Sequence, residues 1–444
     1  MPSVGRDLTD HSQSGTRPPV PSGLALAPFR GARFVAKRVG DVAAATAPPY
    51  DLIGDDDLGW LMESSPYNVT HITLAPGEGD QEWRHRQAAS TLRQWLAEGL
   101  LRTDPEPSLY VYEGYGDGRI QRGLIGGVAL AGAETGIVLP HEDVVPEVVD
   151  DRLAHIRATR ANLEPILLTY EGGGSASQIV EEIVTTHLPL LDLLCGDGRR
   201  HRLWQIADPA QQARIATDLH TRQALIADGH HRYAAYRALQ TEQHAVSRGP
   251  GPWDFGLALL VDAAAHPPHL GAMHRVIPDL DPGEAVTAVN AEGLMRATPV
   301  AGELPALLHV LHDAGRAGPA FAIAGAGQCH VLTIADPQLL DRHMSAQRST
   351  RWRQLPTSVL HTLLIPQVWG ISEDTHSVRV VHDDAAAAVR AADDEGGTAV
   401  LLPPLGAETV SALAAEGERV PRKSTSFGPK PRTGLVLRTF ATAP

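Results

Sequence analysis

Hydrophobic and polar positions repeat along the chain at two periods, and the switches between them mark the predicted elements. Val69 to Leu74 alternates and is rich in β-branched residues, so it reads as a strand. From Asp80 to Gly99 the apolar positions recur at helical spacing, with Trp83, Leu92, Trp95 and Leu96 on one face and Gly99 as a stop. Ser108–Tyr115 and Ile120–Leu130 read as a hairpin joined through Gly116-Asp117-Gly118. Residues 147–160 form a helix with a polar face, and Pro165–Tyr170 is an apolar run bounded by turn signals, hence a buried strand. A helix ending near His187, a strand over Arg202–Ala207 and a helix over Pro209–Leu219 follow. Ala224–Ala227 is a short apolar strand that runs directly into Asp228-Gly229, and a helix is expected from Tyr233 onward. Phe255–Asp262 reads as a strand, Ala285–Leu311 as helix interrupted near Pro299, and Ala385–Ala392 as an alanine-rich helix.

Strands and helices are intermixed, which predicts an α/β or α+β protein. A chain of 444 residues exceeds one compact domain. The expected division is a disordered tail over 1–23, an N-terminal α/β lobe over 24–135, a catalytic core over 136–245, a C-terminal α/β lobe over 246–420, and a segment over 421–444 that closes on the core. Composition narrows the function. A formal charge of −14, from 38 basic and 52 acidic residues, argues against nucleic acid or an anionic membrane as partner. No window approaches the ~18–20 apolar residues of a membrane span, and the Ser-, Gly- and Pro-rich start has no apolar core of a signal peptide. The two cysteines, Cys195 and Cys329, lie in no CxxC pattern, which speaks against a disulfide framework or a cysteine-based zinc site and for a reducing cytoplasm.

The informative stretch is Leu225-Ile226-Ala227-Asp228-Gly229-His230-His231-Arg232-Tyr233-Ala234-Ala235-Tyr236. A strand, a glycine turn and a helix start follow one another without a gap. Free amides at a helix N-terminus, aided by the helix dipole, make an anion site, and Gly229 lets the backbone approach a ligand closely. His230, His231 and Arg232 add candidate phosphate donors, since a guanidinium fork suits phosphate. Asp228 would repel phosphate unless it holds Mg²⁺, orients a histidine or meets an incoming hydroxyl. A bland reading, in which Asp228 caps the helix and the histidines face solvent, stands beside this one.

The turn resembles the active-site turn of sulfiredoxins, in which a cysteine stands where this chain has His230. Without that thiol the sulfiredoxin reaction is unavailable here. The D-G-H-H-R turn is also similar to that of archaeal free-serine kinases, which share a ParB/sulfiredoxin-like fold. In those kinases a P-H-E motif carries the catalytic base, and Pro140-His141-Glu142 resembles it. Glu164-Pro165-Ile166-Leu167-Leu168 and Arg422-Lys423-Ser424-Thr425 resemble two further motifs in the same order, although a large insertion separates Pro165 from Asp228. Over nearly its full length the chain resembles the bacterial domain of unknown function 1015 family, through Ala47-Pro48-Pro49-Tyr50-Asp51, His141-Glu142, Asp151-Arg152 with His155, D-G-H-H-R, and Lys423-Ser424-Thr425-Ser426-Phe427 with Pro429-Lys430.

These resemblances imply a ParB/sulfiredoxin-like nucleotide-binding core with additional α/β lobes. They imply a kinase that uses Mg²⁺ and ATP or ADP to phosphorylate a small hydroxy amino acid, with free L-serine first. Glu142 is the expected base and Asp228 the second catalytic carboxylate and possible Mg²⁺ ligand. Gly229, His230, His231 and Arg232 would hold phosphate. Lys423, Ser424, Thr425, Asp51, Arg152 and His155 would hold substrate, with Lys430 and Arg432 as weaker candidates. The rivals are a nucleotide-binding ParB-like regulator and a noncatalytic phosphate-binding scaffold.

Overall fold

The computed structural model describes residues 18–441, apart from 76, 78, 117, 247–248 and 373–375. Residues 1–17 of the expected tail, Asp117 of the expected hairpin turn and the last three residues of the closing segment therefore lie outside the described residues.

The protein is a mixed α/β structure built on two sheets. The larger contains β1 (Leu26–Ala27), β2 (Leu109–Gly116), β3 (Arg119–Ala129), β4 (Val138–Leu139), β5 (Ile166–Tyr170), β6 (Leu191–Leu194), β7 (Arg200–Ile206), β8 (Ala224–Asp228) and β9 (Phe255–Asp262). Its order is β4-β8-β5-β9-β3-β2-β7-β6, with β1 on β3. The β4–β8 and β5–β9 pairs are parallel and the other pairs antiparallel.

Strand alternation divides this sheet's two faces. Leu257, Leu259 and Val261 of β9 and Leu225 and Ala227 of β8 join one core cluster, while Ala258, Leu260, Ala224 and Ile226 join another. The second cluster is covered by helices α1 (Pro146–Thr159), α2 (Ser175–Thr186), α3 (Pro209–Leu219) and α4 (His230–Ala245) through Ile156, Ile183, Leu219 and Tyr236. The first is shared with a smaller antiparallel sheet of β10 (Met273–Ile277), β11 (Met295–Pro299), β12 (Ala320–Gly325), β13 (Gln328–Ile334), β14 (Arg379–His382) and β15 (Thr398–Leu401). Its order is β11-β13-β12-β15-β10-β14. Two helices, Leu304–Gly315 and Ala385–Glu395, cover its far face through Leu307, Leu311, Ala388 and Ala392.

Two sequence expectations are corrected. Val69–Leu74 is not a strand: Thr70–Thr73 forms a short helix. The cause is a tertiary anchor. Asn68 accepts the Thr70 amide and hydroxyl at 3.0 and 2.8 Å and donates to the Ala44 and Thr46 carbonyls, so a buried turn overrides the β-branched preference. The stretch 285–311 is not interrupted helix but helix, strand and helix. Gly293, in the left-handed region at φ 65°, ends the helix Pro282–Glu292 and lets the chain enter β11.

The C-terminal segment crosses between the sheets. Ser426–Gly428 pairs with His269–Gly271, and Arg438–Thr439 pairs with Ala161–Asn162. This path carries residues 423–430 to the carboxyl end of β8.

Candidate functional site

The site begins where β8 becomes α4. A register shift between Ile226 and Asp228 bends the strand end, and Gly229 follows in the left-handed region at φ 91°. A Cβ at Gly229 would stand 2.8 Å from the Ile166 Cγ2 and 3.2 Å from the Arg232 guanidinium, so the turn requires glycine on grounds of both angle and space. No side chain caps the first turn of α4. Its N-terminal amides therefore retain the anion-binding character expected of the motif.

Acidic and basic groups converge on this turn from four parts of the chain. The Lys430 ammonium, 9% exposed, lies between Asp51 and Asp228, at 2.7 Å from Asp228 Oδ1 and in contact with Asp51 Oδ2. Arg232 Nη2 donates to the other Asp228 oxygen at 2.7 Å. Burial alone would raise the Asp51 carboxyl, but Lys430 and Arg232 outweigh it and hold Asp51 below the usual aspartate range. Burial likewise disfavours the Lys430 cation, and Asp228 and Asp51 overcome this and raise its pKa.

Glu142 approaches from the segment after β4. Its Oε1 accepts the Lys423 amide at 3.0 Å. Burial raises its pKa and the charge of Asp228 adds to the rise, while the Lys423 amide and ammonium oppose it. The backbone around Glu142 is fixed by the C-terminal segment. Val420 N donates to the His141 carbonyl at 2.8 Å, and Arg419 donates to the Pro140 carbonyl. Lys423 has φ 57°, an uncommon angle for a side-chain-bearing residue, and Arg275 Nη2 holds its carbonyl at 2.9 Å.

His141 links the two halves of this arrangement. Its Nδ1 is 2.7 Å from the Ile226 carbonyl, which can only accept, so Nδ1 carries the proton. Nε2 then accepts from the Thr425 hydroxyl at 2.9 Å. Burial pushes His141 down to about 4, which keeps this neutral tautomer at pH 7.

Several expected ligand groups have other engagements. Arg232 is buried; it donates to Asp228 and, at 2.9 Å, to the Pro165 carbonyl, and its guanidinium lies 5.7 Å from the Tyr50 ring centre. It braces the turn rather than facing outward as a phosphate fork. His230 Nε2 accepts the His141 amide at 3.3 Å and its ring packs edge-on against His141. His231 Nε2 accepts the Val145 amide at 3.0 Å, and burial and Lys423 lower its pKa. Ser424 is buried and donates to the Pro421 carbonyl. Arg152 lies 4.5 Å over the Tyr50 ring and pairs with Asp151, so it borders the group through Tyr50. His155 is not brought to the site: it is buried, with Nε2 at 2.9 Å from the Ile72 carbonyl.

The structure also gives roles to residues to which the motifs assigned none. The buried Glu164 carboxylate accepts the Tyr50 amide at 3.0 Å and the Thr433 hydroxyl at 3.3 Å, and so ties the Asp51 turn to β5 and the C-terminal segment. Burial raises the Glu164 pKa against the pull of Arg232 and Arg152. Tyr50 and Glu164 stand inside the Ala47–Asp51 and Glu164–Leu168 motifs, which is the signal that marked them. Arg275 stands in no such motif.

Asp51 and Asp228 offer hard carboxylate oxygens of the kind Mg²⁺ takes, and Mg²⁺ commonly needs only one or two carboxylates when phosphate supplies the rest. Lys430 already lies between the two, so a cation and a phosphate would meet it there.

The chain belongs to the family described as protein of unknown function DUF1015, which matches residues 26–358. No curated protein matches it in sequence. Among solved structures it is similar to a free serine kinase in complex with AMP, at 14% identity and a TM-score of 0.34, over 66% of this chain and 83% of that one. A conserved hypothetical protein from Pyrococcus furiosus is 14% identical, with a TM-score of 0.32, over 66% of this chain and 87% of that one. SbnI with C-terminal truncation from Staphylococcus aureus is 12% identical, with a TM-score of 0.35, over 72% of this chain and 87% of that one. No helix among the described residues is long and apolar enough to cross a membrane.

Proposed function

We propose that this protein is a nucleotide-dependent phosphotransferase that phosphorylates the hydroxyl of a small amino acid, with free L-serine as the first candidate. The observation that carries the reading is the placement of Glu142, a carboxylate with a raised pKa, beside the Asp228-Gly229 turn and its uncapped helix start. A base, an anion cradle and fixed cations are the parts that phosphoryl transfer requires. The order of the Pro140-His141-Glu142, Glu164-Pro165 and D-G-H-H-R motifs supports the same reading by resemblance.

In this mechanism the first-turn amides of α4 and Lys430 hold phosphate oxygens. Glu142 accepts the hydroxyl proton as the substrate oxygen attacks phosphorus, and the shortened nucleotide leaves with the electron pair of the broken P–O bond. Asp228 and Asp51 would hold Mg²⁺, which neutralises phosphate charge when bound. Lys423, exposed beside Glu142, is placed to meet a substrate carboxylate. Arg232, Glu164, Arg275 and His141 act as positioning residues.

The test incubates purified protein with Mg²⁺, L-serine and ATP or ADP, and reads O-phosphoserine by mass spectrometry. Product that disappears in Glu142→Gln and Asp228→Asn, with nucleotide binding retained in Glu142→Gln, supports the kinase. Saturable nucleotide binding without product from any small hydroxy amino acid would instead leave a regulator or an anion-binding scaffold.

A further inference from the structure

Away from this turn, the tight connection between β6 and β7 gathers a different chemistry. Cys195 N donates to the Arg199 carbonyl at 2.9 Å and Gly198 N to the Cys195 carbonyl at 2.9 Å, which folds Cys195-Gly196-Asp197-Gly198-Arg199-Arg200-His201 back on itself. The fold-back brings together a thiol, a carboxylate and an imidazole, whose ligand atoms all lie within 4.8 Å of one another. Among the described residues this is the one group of three or more such side chains at that spacing.

A second observation points to a missing ligand. His201 is 5% exposed, its Nδ1 is 3.0 Å from the Tyr112 hydroxyl, and its Nε2 is buried with no hydrogen-bond partner. A buried unpaired ring nitrogen is destabilising unless something occupies it. Donation from Nδ1–H to Tyr112 would leave the Nε2 lone pair free, which is the usual arrangement behind a metal-bound histidine. Cys195 is buried, whereas Asp197 is exposed and supplies a path from solvent.

We propose that Cys195, Asp197 and His201 bind a zinc-class divalent cation, with water as the fourth ligand. The mixture of thiolate, imidazole and carboxylate suits Zn²⁺ and its analogue Co²⁺ rather than Mg²⁺ or Ca²⁺. Tetrahedral zinc places ligand atoms about 3.3–3.8 Å apart, so the group needs a contraction of about 1.5 Å at most. On binding, Cys195 loses its thiol proton to solvent and the S–metal bond forms, with no change of oxidation state. Asp197 also accepts from Arg432 at 3.3 Å, and Arg432 in turn donates to Thr46 at 2.8 Å. The cation would thus brace the hairpin against the C-terminal segment two residues from Lys430. This proposal does not depend on the kinase reading.

The experiment strips the full chain with a chelator under reducing conditions, then titrates it with Co²⁺. The expected result is one cobalt per chain and a thiolate-to-cobalt charge-transfer band in the near ultraviolet, both displaced by Zn²⁺. Cys195→Ser should abolish the band, and Cys329→Ser, the change at the other cysteine, should leave it intact. Asp197→Asn alters an exposed side chain, so it tests the site without disturbing the core; it should weaken cobalt affinity at least tenfold. Absence of the band in the wild-type chain, its persistence in Cys195→Ser, or unchanged affinity in Asp197→Asn would overturn the proposal.

Discussion

Glu142 shows how one residue can be poorly placed for stability and well placed for chemistry. Burial raises its pKa, so the folded chain holds the proton more tightly than the unfolded chain does. Its contribution to stability is present below the ordinary glutamate range and is lost as pH rises through the raised value. Above that raised value the ionised carboxylate is therefore a net cost. Glu142→Gln, which can still accept the Lys423 amide, should unfold in urea at a midpoint no lower than that of the wild type, while turnover falls about 10²–10⁴-fold. The acid limb of the kcat/KM profile should lie above that of an ordinary glutamate. Gly229 is the opposite kind of residue. Gly229→Ala must hold a Cβ at φ 91° against Ile166, and should lose about 1–3 kcal/mol in urea unfolding. Lys430→Ala would remove the cation that Asp51 and Asp228 share; Asp51 is partly open to solvent and Asp228 keeps Arg232, so a loss of about 1–3 kcal/mol is expected from the same measurement.

Among the elements, the legible ones were those whose signals are local. The hairpin of β2 and β3, the run from β8 into α4, and the helix Gln81–Ala97 with its Gly99 stop were all readable, because period and turn or stop residue lie within a few positions. Thr70–Thr73 was not, because its conformation is set by Asn68 reaching to residues 44 and 46. The site divides in the same way. Asp228-Gly229 and Glu142 stand in recognisable motifs, but the partner that joins Asp51 to Asp228 is a lysine 379 residues from Asp51, which no window along the sequence can pair with it. The motif did suggest that Arg232 and Thr425 face a ligand; the structure gives Arg232 to Asp228 and the Pro165 carbonyl, and Thr425 to His141. The C-terminal segment is accordingly as much a clamp as a ligand donor. Thr425→Val, which removes the bond to His141, should cost about 0.5–1.5 kcal/mol in urea unfolding.

For the molecule as a whole, buried histidines set the acid limit of stability. Burial lowers His141 and His274 to about 4 and His155 to about 3. The unfolded chain, with histidines near about 6.5, takes up protons that the folded chain refuses. Their contribution is present above the unfolded value and is lost as pH falls toward the folded values. Urea midpoints should drop between pH 6.5 and 4, by up to about 1.4 kcal/mol per pH unit for each of the three. Histidine-to-glutamine replacements at these sites should flatten the slope.

The span of the Lys430 bridge has a consequence for synthesis. A ribosome makes Asp51 before Glu142 and Asp228, and Lys430 only after the strands of both sheets. Both sheets can be complete in the nascent polypeptide while the ionic centre has Arg232 but still lacks Lys430. A chain released before residue 430 would carry the core without the junction that ties the turn at Asp51 to the turn at Asp228, so translation through that codon is itself a checkpoint on the proposed activity.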